Sequence, residues 1–191
     1  VSRDWMVQPP DDEAIANRLV DAIQGTGSAT RTAVLLALAR SPEALKAPSL
    51  RAAVSELADR VIANDEPTAD LLPLVQTDVL DELQALDVIE LTWTALEGAS
   101  AAQRIPVIEV LANRPWHDEE GEDDGLAMPK QAVRVLQKAA TDPDVAVREK
   151  VFELLPAMDT LRTSKRATPF LFAGLSDQSP ALRAKAPPLA R

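Results

Sequence analysis

The sequence predicts an all-α protein of about five helical hairpins that stack on one another as a solenoid. Two observations support this fold class. Residues 141–151 and 176–186 align at an offset of 35 residues, and such repeats are typical of arrays in which each hairpin buries its apolar face against a neighbour. The 191-residue chain is 46% hydrophobic but only 3% aromatic and contains no Tyr, a composition that favours helices over strands.

Apolar side chains recur at helical spacing from residue 15 to residue 61. This spacing predicts three helices, of which the first and third have one apolar face, whereas the second is apolar all round over residues 33–39. The first ends near Gly25, and the second lies between Ser28 and Pro42. The third runs from Leu50 to about Asn64.

The stretch from 68 to 98 is too long for one standard helix and is interrupted by Pro73. Asp78 and Asp87 are candidate helix caps, so the stretch predicts two or three short helices. A further apolar face, from Ile105 to Leu111, predicts a helix that ends at residues 113–115.

Residues 117–125 form an acidic segment with six Asp or Glu side chains in nine positions. Like charges repel and bury nothing, so we expect a solvated loop inserted between two hairpins. Calcium binding is the alternative. The segment lacks the alternating ligands, the sixth-position Gly and the twelfth-position Glu of a helix-loop-helix calcium site.

The last third of the chain contains the clearest hairpins. Pro129 opens a helix, Asp142-Pro143 turns the chain, and a second helix carries Val147 to Leu155. The next hairpin starts at Asp159 or Thr160 and turns at 176–177 into the helix 180–186. Its first helix is expected to face the core through four apolar residues: Phe170, Leu171, Phe172 and Leu175.

These hairpins resemble HEAT repeats, the two-helix units of armadillo-like solenoids. In that family the first helix often carries a Pro, the turn an Asp, and the second helix a Val-Arg pair. The matching residues here are Pro169, Asp177, Leu182 and Arg183 in one unit and Asp142, Pro143, Val147 and Arg148 in the other. The resemblance implies a right-handed α-α superhelix.

The resemblance also assigns a role to the turn aspartates and helix arginines. In HEAT repeats they form a ladder of contacts between successive units, which implies structural roles for Asp142, Arg148, Asp177 and Arg183. Arg104 aligns with Arg148 at an offset of 44, which becomes 35 if the acidic segment is an insertion, and Arg51 aligns without a turn Asp. Pro106 would then lie inside a helix, so either that helix is kinked or the register differs.

Charge is distributed unevenly along the chain. The net charge is −10, yet residues 1–127 carry 9 Lys/Arg against 24 Asp/Glu, whereas residues 128–191 carry 11 against 6. These opposite signs favour head-to-tail association between copies. The last unit has no polar capping helix after Ala186, so we expect either part of a longer array or a last hairpin covered by another copy.

Several classes of function lack the residues that they need. The chain has no Cys, and His117, beside the acidic segment, is the sole histidine, so we expect no metal site, no cofactor and no enzyme activity. Asp81 and Glu82 are adjacent and do not share a helix face, so they are interpreted as solvated surface. The sequence pattern predicts neither a membrane span nor a signal peptide, so we expect a cytoplasmic protein.

The function favoured by this pattern is a non-catalytic scaffold for another protein. In a repeat array of this kind the second helices line a concave face that binds a partner helix or an extended peptide. The candidate partner-binding residues are Glu149, Lys150, Glu153, Ala184 and Lys185. Trp93 and Trp116 could anchor a partner or pack in the core.

The alternative function is nucleic-acid binding through the basic C-terminal third. The candidate residues are Arg134, Lys138, Lys150, Arg162, Lys165, Arg166, Lys185 and Arg191. Overall acidity and the lack of aromatic residues among the basic ones weigh against it.

Overall fold

The computed structural model describes residues 12–25, 28–63, 69–114, 116, 128–158 and 165–185 of the chain. Within these ranges all regular secondary structure is helical, as the composition predicts. None of the helices in the described ranges is long and apolar enough to cross a membrane. The acidic segment 117–125 and His117 lie outside the described residues.

Three α-helices form the N-terminal part of the fold. They are α1 (Asp12–Gln24), α2 (Ser28–Arg40) and α3 (Pro48–Ala63). A 3₁₀ helix, Pro42–Lys46, joins α2 to α3. Helix α1 packs on both α2 and α3, because its apolar stripe buries Ala16 and Ile23. Ile15, on the predicted stripe, is 40% exposed instead.

The segment 69–95 differs from the prediction of two or three short helices. A single 3₁₀ turn, Leu72–Leu74, precedes one α-helix, α4 (Glu82–Ala95). The N-cap of α4 is Asp81, whose carboxylate accepts a hydrogen bond from Gln84 N–H at 2.8 Å. Asp81 N–H donates in return to Gln84 Oε1 at 3.3 Å, which completes a capping box. Asp87 lies inside α4, so the prediction of a cap there is wrong.

Three helical hairpins follow one another from α4 onward, and α4 is the first helix of the first hairpin. The other five helices are α5 (Ala101–Asn113), α6 (Lys130–Ala140), α7 (Val145–Leu154), α8 (Thr168–Leu175) and α9 (Pro180–Lys185). The two helices of each hairpin pack together: α4 with α5, α6 with α7, and α8 with α9. Pro106 lies within α5, and the helix continues through it to Asn113.

Contacts between hairpins arrange these six helices in two layers. In the first layer α4 packs on α6 and α6 on α8; in the second, α5 packs on α7 and α7 on α9. The core lies between the layers, where Ile108, Leu136 and Val147 are fully buried. Each such side chain contributes roughly 1.5–3 kcal/mol by leaving water.

Helix α8 does not face the core with all four predicted apolar residues. Phe170 is buried and Leu171 is half-buried, but Phe172 is 66% exposed and Leu175 is 53% exposed. Residues 170–172 and 175 span more than half of the helix circumference, so one neighbouring layer cannot cover them all. The prediction is therefore wrong for Phe172 and Leu175.

Candidate functional site

Each of the last two hairpins turns around an aspartate. Asp142 Oδ1 accepts a hydrogen bond from Asp144 N–H at 2.8 Å, and Asp177 Oδ1 accepts one from Ser179 N–H at 2.7 Å. A carboxylate that binds the backbone two residues on fixes a tight turn. The two helices of a hairpin are thereby set against each other by the same local device.

An arginine in the first turn of the second helix holds that turn from the other side. Arg148 Nη1 donates to the carbonyl oxygens of Asp142 at 2.7 Å and Pro143 at 3.0 Å. Arg183 Nη1 donates to the carbonyls of Asp177 at 2.6 Å and Gln178 at 3.0 Å. Both guanidinium groups are therefore held in one orientation by their own hairpin.

The rest of the Arg148 guanidinium reaches the next hairpin. Arg148 Nε donates to Asp177 Oδ2 at 2.6 Å, and Nη2 donates to Oδ1 at 3.1 Å. The Arg148 side chain is 14% exposed and that of Asp177 is 5% exposed. Hydrogen bonding from Arg148 is the main reason why the pKa of Asp177 lies below its ordinary value, and the same bond raises the pKa of Arg148.

A second pair joins α5 to the Asp142 turn. Arg104 Nη1 donates to Asp142 Oδ2, and the two side chains are only 7% and 4% exposed. Unlike Arg148, Arg104 uses one nitrogen, and its buried Nε has no hydrogen-bond partner. The turn that precedes Arg104 holds Gly98, with φ of 79°, at the position that Asp142 occupies before Arg148. That position of the turn therefore offers no carboxylate.

Arg51 pairs at the surface with a residue that the repeat pattern did not indicate. Its Nη1 lies 3.4 Å from Asp78 Oδ2, and its Nη2 donates to the Asp78 carbonyl. The side chains are 46% and 83% exposed. Arg51 and Arg104 occupy the same place in their helices as Arg148 does. Each is the fourth residue of its helix, and its N–H donates to the carbonyl of the residue just before the helix. An arginine therefore recurs at this helix position even where the preceding turn lacks the aspartate.

The predicted partner-binding residues lie on two neighbouring helices of the second layer. Glu149 and Lys150 are half-buried on α7, where Glu153 is exposed, and Ala184 and Lys185 are exposed on α9. Helix α7 packs directly on α9. The structure thus places these five residues on adjoining helices.

Lys150 is committed to ion pairs within the protein. Its Nζ lies 3.1 Å from Glu109 Oε1 on α5 and 3.4 Å from Glu153 Oε2. The hydrogen bond to Glu109 is the main cause of its raised pKa. The sequence reasoning did not single out Glu109. The offset of 44 that aligns Arg104 with Arg148 also aligns Glu109 with Glu153, which was a candidate residue. The repeat could therefore have identified Glu109 from sequence alone.

Arg114 is a second residue that the sequence reasoning missed. Its Nη1 donates to the carbonyls of Val75 and Thr77, and its Nη2 donates to the carbonyl of Leu80 at 3.2 Å. Burial lowers the pKa of Arg114. These contacts attach the end of α5 to the segment before α4, so Arg114 has a structural role.

The two tryptophans occupy different surroundings. Trp93 is 8% exposed and belongs to the core. Trp116 is half-buried: its Nε1 donates to the Leu111 carbonyl at 3.1 Å, and the Arg114 guanidinium lies 5.3 Å from its ring centroid. Trp116 therefore packs against the C-terminal end of α5.

Four of the basic residues of the alternative hypothesis are divided between the two layers. Arg134 and Lys138 are exposed on α6 in the first layer, whereas Lys150 and Lys185 lie in the second. Arg166 Nη1 donates to the Met128 carbonyl at 3.3 Å. Arg162, Arg191 and the side chain of Lys165 lie outside the described residues.

Two grooves open beside the turns. One, of about 430 Å³, lies next to the Arg104–Asp142 pair and is bordered by Trp93 and Lys138. The other, of about 400 Å³, lies next to the Arg148–Asp177 pair. In the described parts of the chain, no group of three or more His, Cys, Asp or Glu side chains is placed to hold a metal ion.

Comparison with known proteins gives no relative for this chain: no protein-family model, curated protein or solved structure matches it.

Proposed function

We propose that this chain is a HEAT-like solenoid, a right-handed α-α superhelix, that serves as a non-catalytic scaffold for another protein. The partner, a helix or an extended peptide, binds across the exposed face of α5, α7 and α9. The observation that carries the proposal is the repeated register of these helices, which aligns polar and small side chains from one hairpin to the next.

The exposed face has a charged centre and small flanks. Glu149, Lys150 and Glu153 lie on α7, and Lys150 bridges to Glu109 on α5. The flanks carry exposed Ala or Pro on α5 and α9: Ala102, Pro106, Ala181 and Ala184. Small side chains allow a partner backbone to approach closely, and charged side chains at the centre select its orientation.

The charge of this face also indicates the chemistry of the partner. Glu109 and Glu153 pair with Lys150, and Glu149 adds a third carboxylate on α7, which leaves an excess of negative charge along α5 and α7. A partner segment with basic side chains complements that excess, whereas the phosphate backbone of a nucleic acid does not. The scaffold proposal therefore favours a basic helix or peptide.

The experiment is capture from native lysate with three forms of the chain. The face variant carries Glu149→Lys and Glu153→Lys, which reverse two negative charges of the face and leave Glu109 as the ion-pair partner of Lys150. The matched control carries Arg134→Glu and Lys138→Glu, which reverse two charges on α6 in the other layer. Bound protein and bound nucleic acid are both quantified.

We expect a protein that the face variant captures about tenfold less, equivalent to ~1.4 kcal/mol, and that the control captures as well as the parent does. Equal capture by parent and face variant would contradict the proposed face. Nucleic acid captured by the parent and lost with the α6 variant would instead identify Arg134 and Lys138 as part of a nucleic-acid-binding site.

A further inference from the structure

The last two hairpins can be compared position by position at the offset of 35 residues. Leu136 is fully buried on α6, but the equivalent Leu171 on α8 is half-buried. Ala140 is 2% exposed, but the equivalent Leu175 is 53% exposed. Helix α6 has a neighbour on each side in its layer, α4 and α8, whereas among the described helices only α6 adjoins α8 in that layer.

The arginines of these hairpins differ in the same way. Arg148 and Arg183 are held identically by the carbonyls of their own turns. Arg148 then presents Nε and Nη2 to the Asp177 carboxylate of the following hairpin. Arg183 Nε and Nη2 meet no carboxylate among the described residues, and residues 186–191 contain no Asp or Glu.

We infer that the face of α8 and α9 turned away from the α6–α7 hairpin binds a further helical hairpin whose turn carries an aspartate. The aspartate carboxylate accepts two hydrogen bonds from Arg183, and the first helix of that hairpin covers Leu171 and Leu175. This surface is separate from the proposed partner-binding face of α5, α7 and α9, and it stands without that proposal.

The chemistry of the occupant follows from the contact that the chain makes one unit earlier. Two parallel N–H groups in a fixed guanidinium match both oxygens of one carboxylate. Because Arg183 is already oriented, little side-chain entropy is lost when the carboxylate arrives. An Asp that also caps its own turn, as Asp177 does through Ser179 N–H, presents its oxygens in the required direction.

Among the described residues, a second copy of this chain does not provide such an aspartate. The described aspartates that accept the N–H two residues on in a hairpin turn, Asp142 and Asp177, are each buried against an arginine of their own chain, Arg104 and Arg148. To take Arg183, either of them would first have to leave its present partner. The occupant is therefore a hairpin whose turn aspartate has no arginine partner of its own.

The test places such a hairpin on this face. A duplicate of residues 157–191 is appended after Arg191, so that the copied aspartate follows Asp177 at the same offset of 35 residues at which Asp177 follows Asp142. We expect Tm to rise by at least about 4 °C. We also expect the Arg183 Nε–H in the extended chain to be protected from hydrogen exchange, and the Arg148 Nε–H, which donates to Asp177, to be protected in both chains.

The matched control is the extended chain in which the copied Asp177 is replaced by Asn, which retains the turn hydrogen bond and removes the charge. Most of the rise in Tm and the protection of Arg183 should be lost. An extended chain with the parent Tm and an unprotected Arg183 would overturn the inference. So would a dimer of the unextended chain that dissociates in Arg183→Gln, because it would make a second copy the occupant.

Discussion

The two halves of the molecule join their helices differently. From α5 to α9, successive hairpins are connected by buried arginine–aspartate pairs, Arg104–Asp142 and Arg148–Asp177. In the N-terminal half the corresponding arginine, Arg51, reaches an exposed carboxylate, that of Asp78. Other polar contacts serve there: Gln84 Nε2 donates to Ser55 Oγ at 3.0 Å and to Asp59 Oδ1 at 2.6 Å, which ties α4 to α3.

The difference shows what a buried pair between hairpins requires. Apolar burial is common to both halves, as fully buried Leu35, Val54 and Leu136 show. Both buried pairs of the described residues occur where the turn places an Asp that also accepts the backbone N–H two residues on. Where Gly98 occupies that position, the preceding Arg51 finds a partner at the surface instead.

The most damaging single change should be Asp142→Ala. It leaves the Arg104 guanidinium buried without its counter-charge and removes the acceptor of Asp144 N–H. We expect the free energy of unfolding to fall by roughly 3–5 kcal/mol, measured by urea denaturation. Asp142→Asn retains the turn acceptor and should cost less. A loss below about 1 kcal/mol for Asp142→Ala would remove the distinction between the halves.

Arg148→Lys tests whether the two-pronged geometry matters beyond charge. Lysine cannot bind both Asp177 oxygens and the carbonyls of Asp142 and Pro143 at once. We expect a loss of about 1.5–3 kcal/mol in the free energy of unfolding. Arg183→Lys is the matched control and should cost clearly less, because Arg183 makes the same turn contacts but pairs with no carboxylate among the described residues. Equal losses would show that only the turn contacts count.

Acid should weaken the C-terminal half through Asp177. Its pKa is lowered in the folded protein, mainly by Arg148, so the folded state favours the ionised form. That contribution is present above the unfolded-state pKa of about 3.9 and is lost as pH falls through the folded value. Unfolding free energy followed by urea titration below about pH 4 should therefore fall less steeply in Asp177→Asn than in the parent.

In the N-terminal half, Asp87 on α4 has a pKa shifted in the opposite direction to that of Asp177. Burial, followed by repulsion from Glu90 and Asp81, raises its pKa, so ionised Asp87 disfavours folding at neutral pH. Asp87→Asn should stabilise the protein at pH 7 and steepen its loss of stability in acid. A variant less stable than the parent at pH 7 would contradict this assignment.

The smallest effect is expected for Arg51→Ala. The pair with Asp78 is exposed on both sides, and exposed pairs contribute about 0.2–1 kcal/mol. The change in the free energy of unfolding should lie within that range and shrink in 0.5 M salt, since salt screens exposed charges. A loss above about 2 kcal/mol would place Arg51 in the same class as Arg104 and Arg148.

The features of the fold that could be predicted were those whose sequence pattern repeats along the chain. The all-helical class and the turns at Asp142 and Asp177 followed from a pattern that recurs at 35 residues. The start of α4 was missed, although Asp81 and Gln84 have the spacing of a capping box, because Asp78 and Asp87 are equally acceptable caps by residue type.

Exposure and cross-helix pairing were harder to predict for a physical reason. Whether Phe172 and Leu175 are covered depends on what lies beside α8, and helical periodicity reports only which residues share a face. The bridge from Lys150 to Glu109 joins residues on different helices, separated in sequence by the acidic segment. Such contacts follow from the packing of the layers rather than from any one stretch of sequence.

The central claim is that buried arginine–aspartate pairs connect successive hairpins in the C-terminal half. The most direct test is a pair of double-mutant cycles, with alanine at Arg148 and Asp177 and with alanine at Arg51 and Asp78, followed by urea unfolding. We predict a coupling energy of about 1–3 kcal/mol for the first pair and below about 0.5 kcal/mol for the second. Equal coupling energies in the two cycles would contradict the account.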